Sequence, residues 1–218
     1  MQRFNFSQSA SQKPNTVLCL GAHSDDIEIG CGGSILRLIE ENPQLEVWWI
    51  VFSANGLRVK EAQQSAELFL TCAKNSRITI KEFRDGYFPY QGADIKDFFE
   101  VLKQEISPDL IFTHYRHDLH QDHRLINELT WNTWRDHLIL EYEIPKFDGD
   151  MGNPNFFIPL RRSTCQQKNG ILCEVFKTQE VKPWFTGDTF WSLLQIRGIE
   201  CRAPESLAEA FYARKVVI

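Results

Sequence analysis

The segment Thr16-Val-Leu-Cys-Leu-Gly-Ala-His-Ser-Asp-Asp-Ile-Glu-Ile-Gly-Cys-Gly-Gly33 changes character twice. Thr16 to Leu20 is a short apolar run, the pattern of a strand buried on both faces, and it ends at Gly21. Ala22 to Ile29 reads as a loop with one histidine and two adjacent aspartates. Gly30-Cys-Gly-Gly33 leads into an amphipathic segment with Ile35, Leu36 and Ile39 at helical spacing, stopped by Asn42-Pro43. Strand, loop and helix in this order form the first half of a βαβ unit.

The alternation continues outward. Leu45 to Phe52 reads as a second buried strand, and residues 58–73 as a helix with Ala62, Ala66, Phe69, Leu70 and Ala73 on one face. Ile78 to Phe83 alternates like a strand and is followed by a turn at Asp85-Gly86. Residues 93–106 carry Ile95, Phe98, Phe99, Leu102 and Ile106 at helical spacing. Strands at Leu110 to Thr113 and Leu138 to Ile144 flank a helix from Asp122 to Arg135. Beyond a turn-rich loop at Asp148 to Asn155, helices are expected near 164–179 and 188–197. A last strand, Ala208 to Val217, is expected on the sheet edge. Strand–helix alternation over the first 145 residues predicts an α/β fold. The expected form is a Rossmann-like three-layer α/β/α domain with a mostly parallel sheet, spanning 15–218 behind a flexible arm at 1–14.

The 218 residues are 43% hydrophobic and 24% charged, which supports a sizeable core and excludes a disordered chain or a small disulfide scaffold. Twenty-four Lys and Arg against 29 Asp and Glu leave a net charge of -5, so no nucleic-acid partner is expected. No apolar run approaches about 18 residues, so no membrane insertion is expected. The polar N-terminus and six cysteines without a C-x-x-C pair read as a reduced, cytoplasmic protein. Composition leaves homo-oligomerisation open.

In doubly wound sheets, ligands bind outside the carboxyl ends of the strands. Two polar clusters fall at such ends: His23-Ser-Asp-Asp26 after the first strand, and His114 to Arg124 after the fourth. Four of the six histidines (His114, His117, His120 and His123) lie within ten positions. Imidazoles and carboxylates around an open position suit a hydrolytic divalent metal, with a free carboxylate to take a proton from water. Each cluster alone has a plainer reading, as a turn, a helix cap or a solvated stripe. Their co-location on one rim favours a metal site, with Asp122 available to orient an imidazole. No G-x-S-x-G elbow supports a serine hydrolase. The glycines at 30–33 lack the dinucleotide spacing. Cys31 beside them is an alternative nucleophile, weighed against close packing of helix on strand.

Gly21-Ala-His-Ser-Asp-Asp-Ile-Glu-Ile-Gly-Cys-Gly-Gly33 resembles the A-H-P-D-D-x-E-x-G-x-G-G signature of the PIG-L/LmbE-like zinc-dependent de-N-acetylases. His117-Asp-Leu-His-Gln-Asp-His-Arg124 resembles their H-x-D-H signature. The resemblance implies that His23, Asp26 and His123 bind Zn²⁺, or another divalent transition metal such as Fe²⁺. It implies Asp25 as general base and His120, oriented by Asp122, as oxyanion donor or acid. Arg58 matches a family arginine that helps hold substrate or the oxyanion; its alternative is an exposed helix-start residue. Arg116, His117 and Asp118, beside the second motif, are expected to line the substrate mouth, and His114 and His137 to be structural. Ser24 stands where the family usually has Pro.

The activity implied is hydrolysis of the N-acetyl amide of an amino sugar or its conjugate, N-acetylglucosamine-like, to acetate and a free amine. The alternatives are an amidase on a larger acyl group and a non-catalytic metal- or sugar-binding protein.

Overall fold

The computed structural model describes residues 15–216. The expected arm at 1–14 lies outside them, as does Val217. The first strand, β1, runs Thr16–His23, with every residue after Thr16 buried. Helix α1 spans Asp26–Glu41, so only Ser24 and Asp25 join the two. The loop expected over 22–29 is therefore two residues long, and the glycine cluster lies inside the helix. Acidic residues in the first turn, Asp26 and Glu28, complement the helix dipole there. Glycine's low helix propensity is overridden by close approach. A Cβ on Gly30 would stand 2.2 Å from the Tyr142 ring, and one on Gly32 2.6 Å from Phe69.

Strand β2 (Glu46–Ser53), helix α2 (Leu57–Phe69) and strand β3 (Asn75–Ile80) follow. β3 starts earlier than its alternation implied, because parallel pairing with β2 sets Trp49 beside Ile78 and Val51 beside Ile80. A short 3-10 turn at Phe88–Tyr90 precedes α3 (Gly92–Glu105), β4 (Leu110–His114), α4 (Gln121–Thr133) and β5 (Leu138–Tyr142). The remainder is β6 (Phe156–Pro159), α5 (Arg162–Val175), α6 (Gly187–Glu200) and β7 (Ala208–Ala213).

These strands form one sheet in the order β3-β2-β1-β4-β5-β7-β6. The first five are parallel, while β7 runs antiparallel to β5 and β6. β7 is therefore not the edge strand. The edge belongs to β6, which the sequence reading missed: it has four half-buried residues and ends in Pro159. Alternate residues of β1 face opposite layers. Val17 and Cys19 pack with α1, α2 and α5; Leu18, Leu20 and Ala22 pack with α3 and α4. This is the three-layer α/β/α arrangement. Among the described residues no helix is long and apolar enough to cross a membrane.

The strand order reverses between β1 and β4. The chain moves outward from β1 through β2 to β3, then returns to β4 on the other side. Such a switch point opens a crevice at the carboxyl ends of the two strands. His23 ends β1 and His114 ends β4, so the two motif segments meet there.

Candidate active site

Three side-chain atoms converge in the crevice. His23 Nδ1 lies 3.1 Å from His123 Nε2 and 3.3 Å from Asp26 Oδ2, and the last two are 3.6 Å apart. Ligands about 2.0–2.1 Å from a zinc ion at tetrahedral angles stand about 3.3–3.5 Å from one another. The triangle therefore fits a divalent cation, and two imidazoles with one carboxylate are the donor chemistry of a hydrolytic site. His120 also brings a ring nitrogen within 4.8 Å of those of His23 and His123.

A carboxylate backs each imidazole. His123 Nδ1 is 2.9 Å from Asp118 Oδ2, and His23 Nε2 is 3.0 Å from Asp85 Oδ1 and 3.3 Å from Asp122 Oδ2. Such partners fix the tautomer and aim the other nitrogen inward. Asp122 in turn accepts backbone N–H bonds from Gly86 (2.7 Å) and Phe88 (3.1 Å). Gly86 adopts φ +78°, which glycine reaches without strain. Five carboxylates (Asp25, Asp26, Asp85, Asp118 and Asp122) crowd this crevice. The hydrogen bond to His23 holds the Asp85 carboxyl down to about 2. Burial pushes His23 down, but the surrounding carboxylates outweigh it and raise its pKa well above the usual value. An acidic concentration of this kind favours bound positive charge.

Asp25, the residue just before α1, lies beside the triangle and is 4% exposed. Burial and the neighbouring charge of Asp26 raise its pKa, with Arg58 and Lys182 opposing. Arg58 Nη2 donates to Asp25 Oδ1 at 3.4 Å. His120 caps α4: its Nδ1 accepts the Asp122 N–H at 3.2 Å, and burial, then the charge of His23, lower its pKa.

Several expected roles change. Asp118 is 2% exposed, with Oδ1 on the His120 N–H and Oδ2 shared by His123 and Lys146; it stands in the wall behind His123, not at the mouth. The Asp122 carboxylate orients His23 rather than His120, because the loop at 86–88 pulls it to that side. Arg58 is no free helix-start residue; it is bound to Ser24, Asp25 and Asp85. Arg116 and His117 are exposed. His114, fully buried, stacks on His123 with centroids 3.9 Å apart; its Nε2 is taken by the Ala22 N–H at 2.9 Å, so it braces the His123 ring. His137 pairs with Asp136 ahead of β5, at the opposite end of the sheet. Cys31 is buried, and burial raises its thiol pKa well above the ordinary value, so it is not an activated nucleophile.

Asp85 and Lys146 are the residues that sequence reasoning passed over. Both lie just past strand ends, and the same rim rule applied to β3 and β5 would have marked them.

A family model described as PIG-L: GlcNAc-PI de-N-acetylase matches residues 18–134, more than half of the chain. The chain belongs to the PIG-L family. It is 28% identical over 147 residues to an uncharacterised deacetylase, YaiS, of Escherichia coli K12, covering 63% of this chain and 78% of YaiS. Two solved structures share the fold. One is the N,N'-diacetylchitobiose deacetylase of Pyrococcus horikoshii, with TM-score 0.68 and 20% identity, covering 94% of this chain and 86% of that one. The other is GalB, the 4-carboxy-2-hydroxymuconate hydratase of Pseudomonas putida KT2440, with TM-score 0.73 and 15% identity, covering 94% and 98%. A PIG-L-like fold thus carries a deacetylase in one protein and a hydratase in another, so the reaction has to be argued from the site.

Proposed function

We propose that this chain is a metal-dependent N-deacetylase. Its substrate would be an N-acetylated amino sugar, N-acetylglucosamine-like, or a conjugate of one, and its products acetate and the free amine. The observation that carries the reading is Asp25, a buried carboxylate beside a three-residue ligand set, with one oxygen on Arg58 and no hydrogen bond to the other among the described residues. Membership of the PIG-L family supports it, as do the names of YaiS and of the Pyrococcus enzyme.

His23, Asp26 and His123 would hold the cation, with Zn²⁺ favoured by the donor set and Fe²⁺ the alternative. The cation supplies Lewis-acid polarisation of the amide carbonyl and a more acidic water. Asp25 takes the proton of the attacking water on its free oxygen; a carboxylate with a raised pKa is a stronger base than an exposed one. The water oxygen adds to the acetyl carbon. His120, neutral because Nδ1 accepts a backbone N–H, presents Nε2–H to the oxygen that gains charge. The C–N bond then breaks, and the proton held by Asp25 passes to the leaving nitrogen. Arg116 and His117, exposed beside the motif, are the candidate substrate contacts. The six cysteines are free, four of them buried, which fits a reducing, cytoplasmic setting.

A panel of N-acetyl and longer N-acyl glucosaminides, free and as aryl or alkyl glycosides, tests the reading with released amine as readout. Turnover fastest on N-acetyl substrates is expected. Preference for long acyl groups would favour the amidase alternative. Full zinc occupancy without turnover would favour a binding protein.

A further inference from the structure

Ser24 departs from the PIG-L signature, and it is fully buried between His23 and Asp25. Its hydroxyl oxygen accepts a hydrogen bond from Arg58 Nε at 3.0 Å. The same guanidinium donates from Nη2 to Asp25 Oδ1 at 3.4 Å and from Nη1 to Asp85 Oδ2 at 3.4 Å. Nε–H and the adjacent Nη–H form one edge of the guanidinium fork, which normally grips the two oxygens of a single carboxylate. Here the two acceptors come from neighbouring residues, one hydroxyl and one carboxylate. The Ser24 contact is the shortest of the three, and Asp85 is half-exposed.

We propose that Ser24 is a positioning residue for the general base, acting through Arg58. The hydroxyl fixes the side-on edge of the guanidinium. Arg58 then fixes which oxygen of Asp25 is occupied and which is left facing the crevice. Proline at this position offers no side-chain acceptor, so this chain aims its base by a hydrogen-bonded clamp on a segment that proline would otherwise stiffen. The clamp also assigns Arg58 to Asp25 in preference to the substrate. The proposal rests on the deacetylase reading for the identity of the base.

The test compares zinc-loaded, full-length wild type with Ser24→Ala, Ser24→Thr, Arg58→Lys and the Ser24→Ala/Arg58→Lys double variant. The probe substrate is p-nitrophenyl N-acetyl-β-D-glucosaminide, with acetate release followed. In parallel, NMR records exchange of the Arg58 Nε–H with solvent. Ser24→Ala is expected to lower kcat about 10-fold with KM little changed, as for a misaimed catalytic group. Ser24→Thr, which keeps the hydroxyl, is expected to restore kcat. Lysine keeps the charge but lacks the fork, so the double variant should be no slower than Arg58→Lys alone. The Arg58 Nε–H should exchange slowly in wild type and Ser24→Thr, and fast in Ser24→Ala.

Wild-type kcat in Ser24→Ala overturns the proposal, as does an equal further loss in the Arg58→Lys background. Loss of bound zinc in Ser24→Ala also overturns it, since the residue would then act on the ligands. A wild-type chain that holds zinc and releases no acetate contradicts the deacetylase reading instead. In that event slow exchange in Ser24→Ala still overturns the clamp.

Discussion

Asp118 accepts hydrogen bonds from the Nδ1–H of His123 and the N–H of His120 and pairs with the Lys146 ammonium at 3.1 Å, and these partners leave it only 2% exposed. Burial pushes its carboxyl up, but the His123 hydrogen bond and the nearby charges outweigh this and hold it well below the usual range. It stays anionic and keeps the His123 ring turned with Nε2 inward. Removing such a partner weakens metal affinity by about 10–100-fold. Asp118→Ala is expected to do so in a competition titration against a chromophoric chelator, and unchanged affinity would mean that packing alone orients His123. That the clusters holding His23, Asp25, Asp26, His120 and His123 would meet was legible from their place at two strand ends, while the selection of these residues within the clusters came from the resemblance. Which carboxylate serves which imidazole was not legible. That choice is made by the loop at 86–88, whose N–H groups draw Asp122 toward His23.

At the scale of the element, α1 shows why the sequence suggested a loop where a helix begins. Three glycines within Gly30 to Gly33 argue against helix by propensity, yet each is where another element comes close. Gly30 meets Tyr142 of β5 and Gly32 meets Phe69 of α2. Gly33 meets Leu160 and the Glu209 carboxylate of β7, which also accepts the Gly33 N–H at 2.8 Å. That carboxylate is buried and paired with Lys168 of α5 at 2.7 Å, so one ion pair joins α1, α5 and β7. Packing of this kind joins residues from 37 to 176 positions apart and leaves no local pattern. It makes a prediction opposite to the usual one. Gly→Ala inside a helix ordinarily stabilises by up to about 1 kcal/mol. Gly30→Ala is expected to destabilise by about 1–3 kcal/mol through overpacking against Tyr142, read from the urea midpoint. A midpoint at or above wild type would show that the helix and Tyr142 can separate at no cost.

At the scale of the molecule, the first five strands follow the alternation of the sequence. The last third does not, because its two strands are short, antiparallel and separated by two helices. The strand reversal at β1 and β4 brings His23 to His123 across a hundred positions. The proposed ligand set therefore exists only in the folded chain, and a cation bound there would stabilise the whole domain. At free zinc about 100-fold above Kd the gain is about 2.7 kcal/mol, which chelation should remove as a fall in Tm. A Tm indifferent to chelator, with zinc shown to leave, would mean that the site does not discriminate between folded and unfolded chain.

In the proposed deacetylase, Asp25 moves the proton while His23, Asp26 and His123 hold the cation. The most direct measurement is acetate release by zinc-loaded wild type and Asp25→Ala on an N-acetyl glucosaminide, with bound zinc determined on the same samples. Equal zinc in both and a loss of about 10²–10⁴-fold in kcat for the variant are expected. Equal zinc with undiminished acetate release would contradict this role of Asp25.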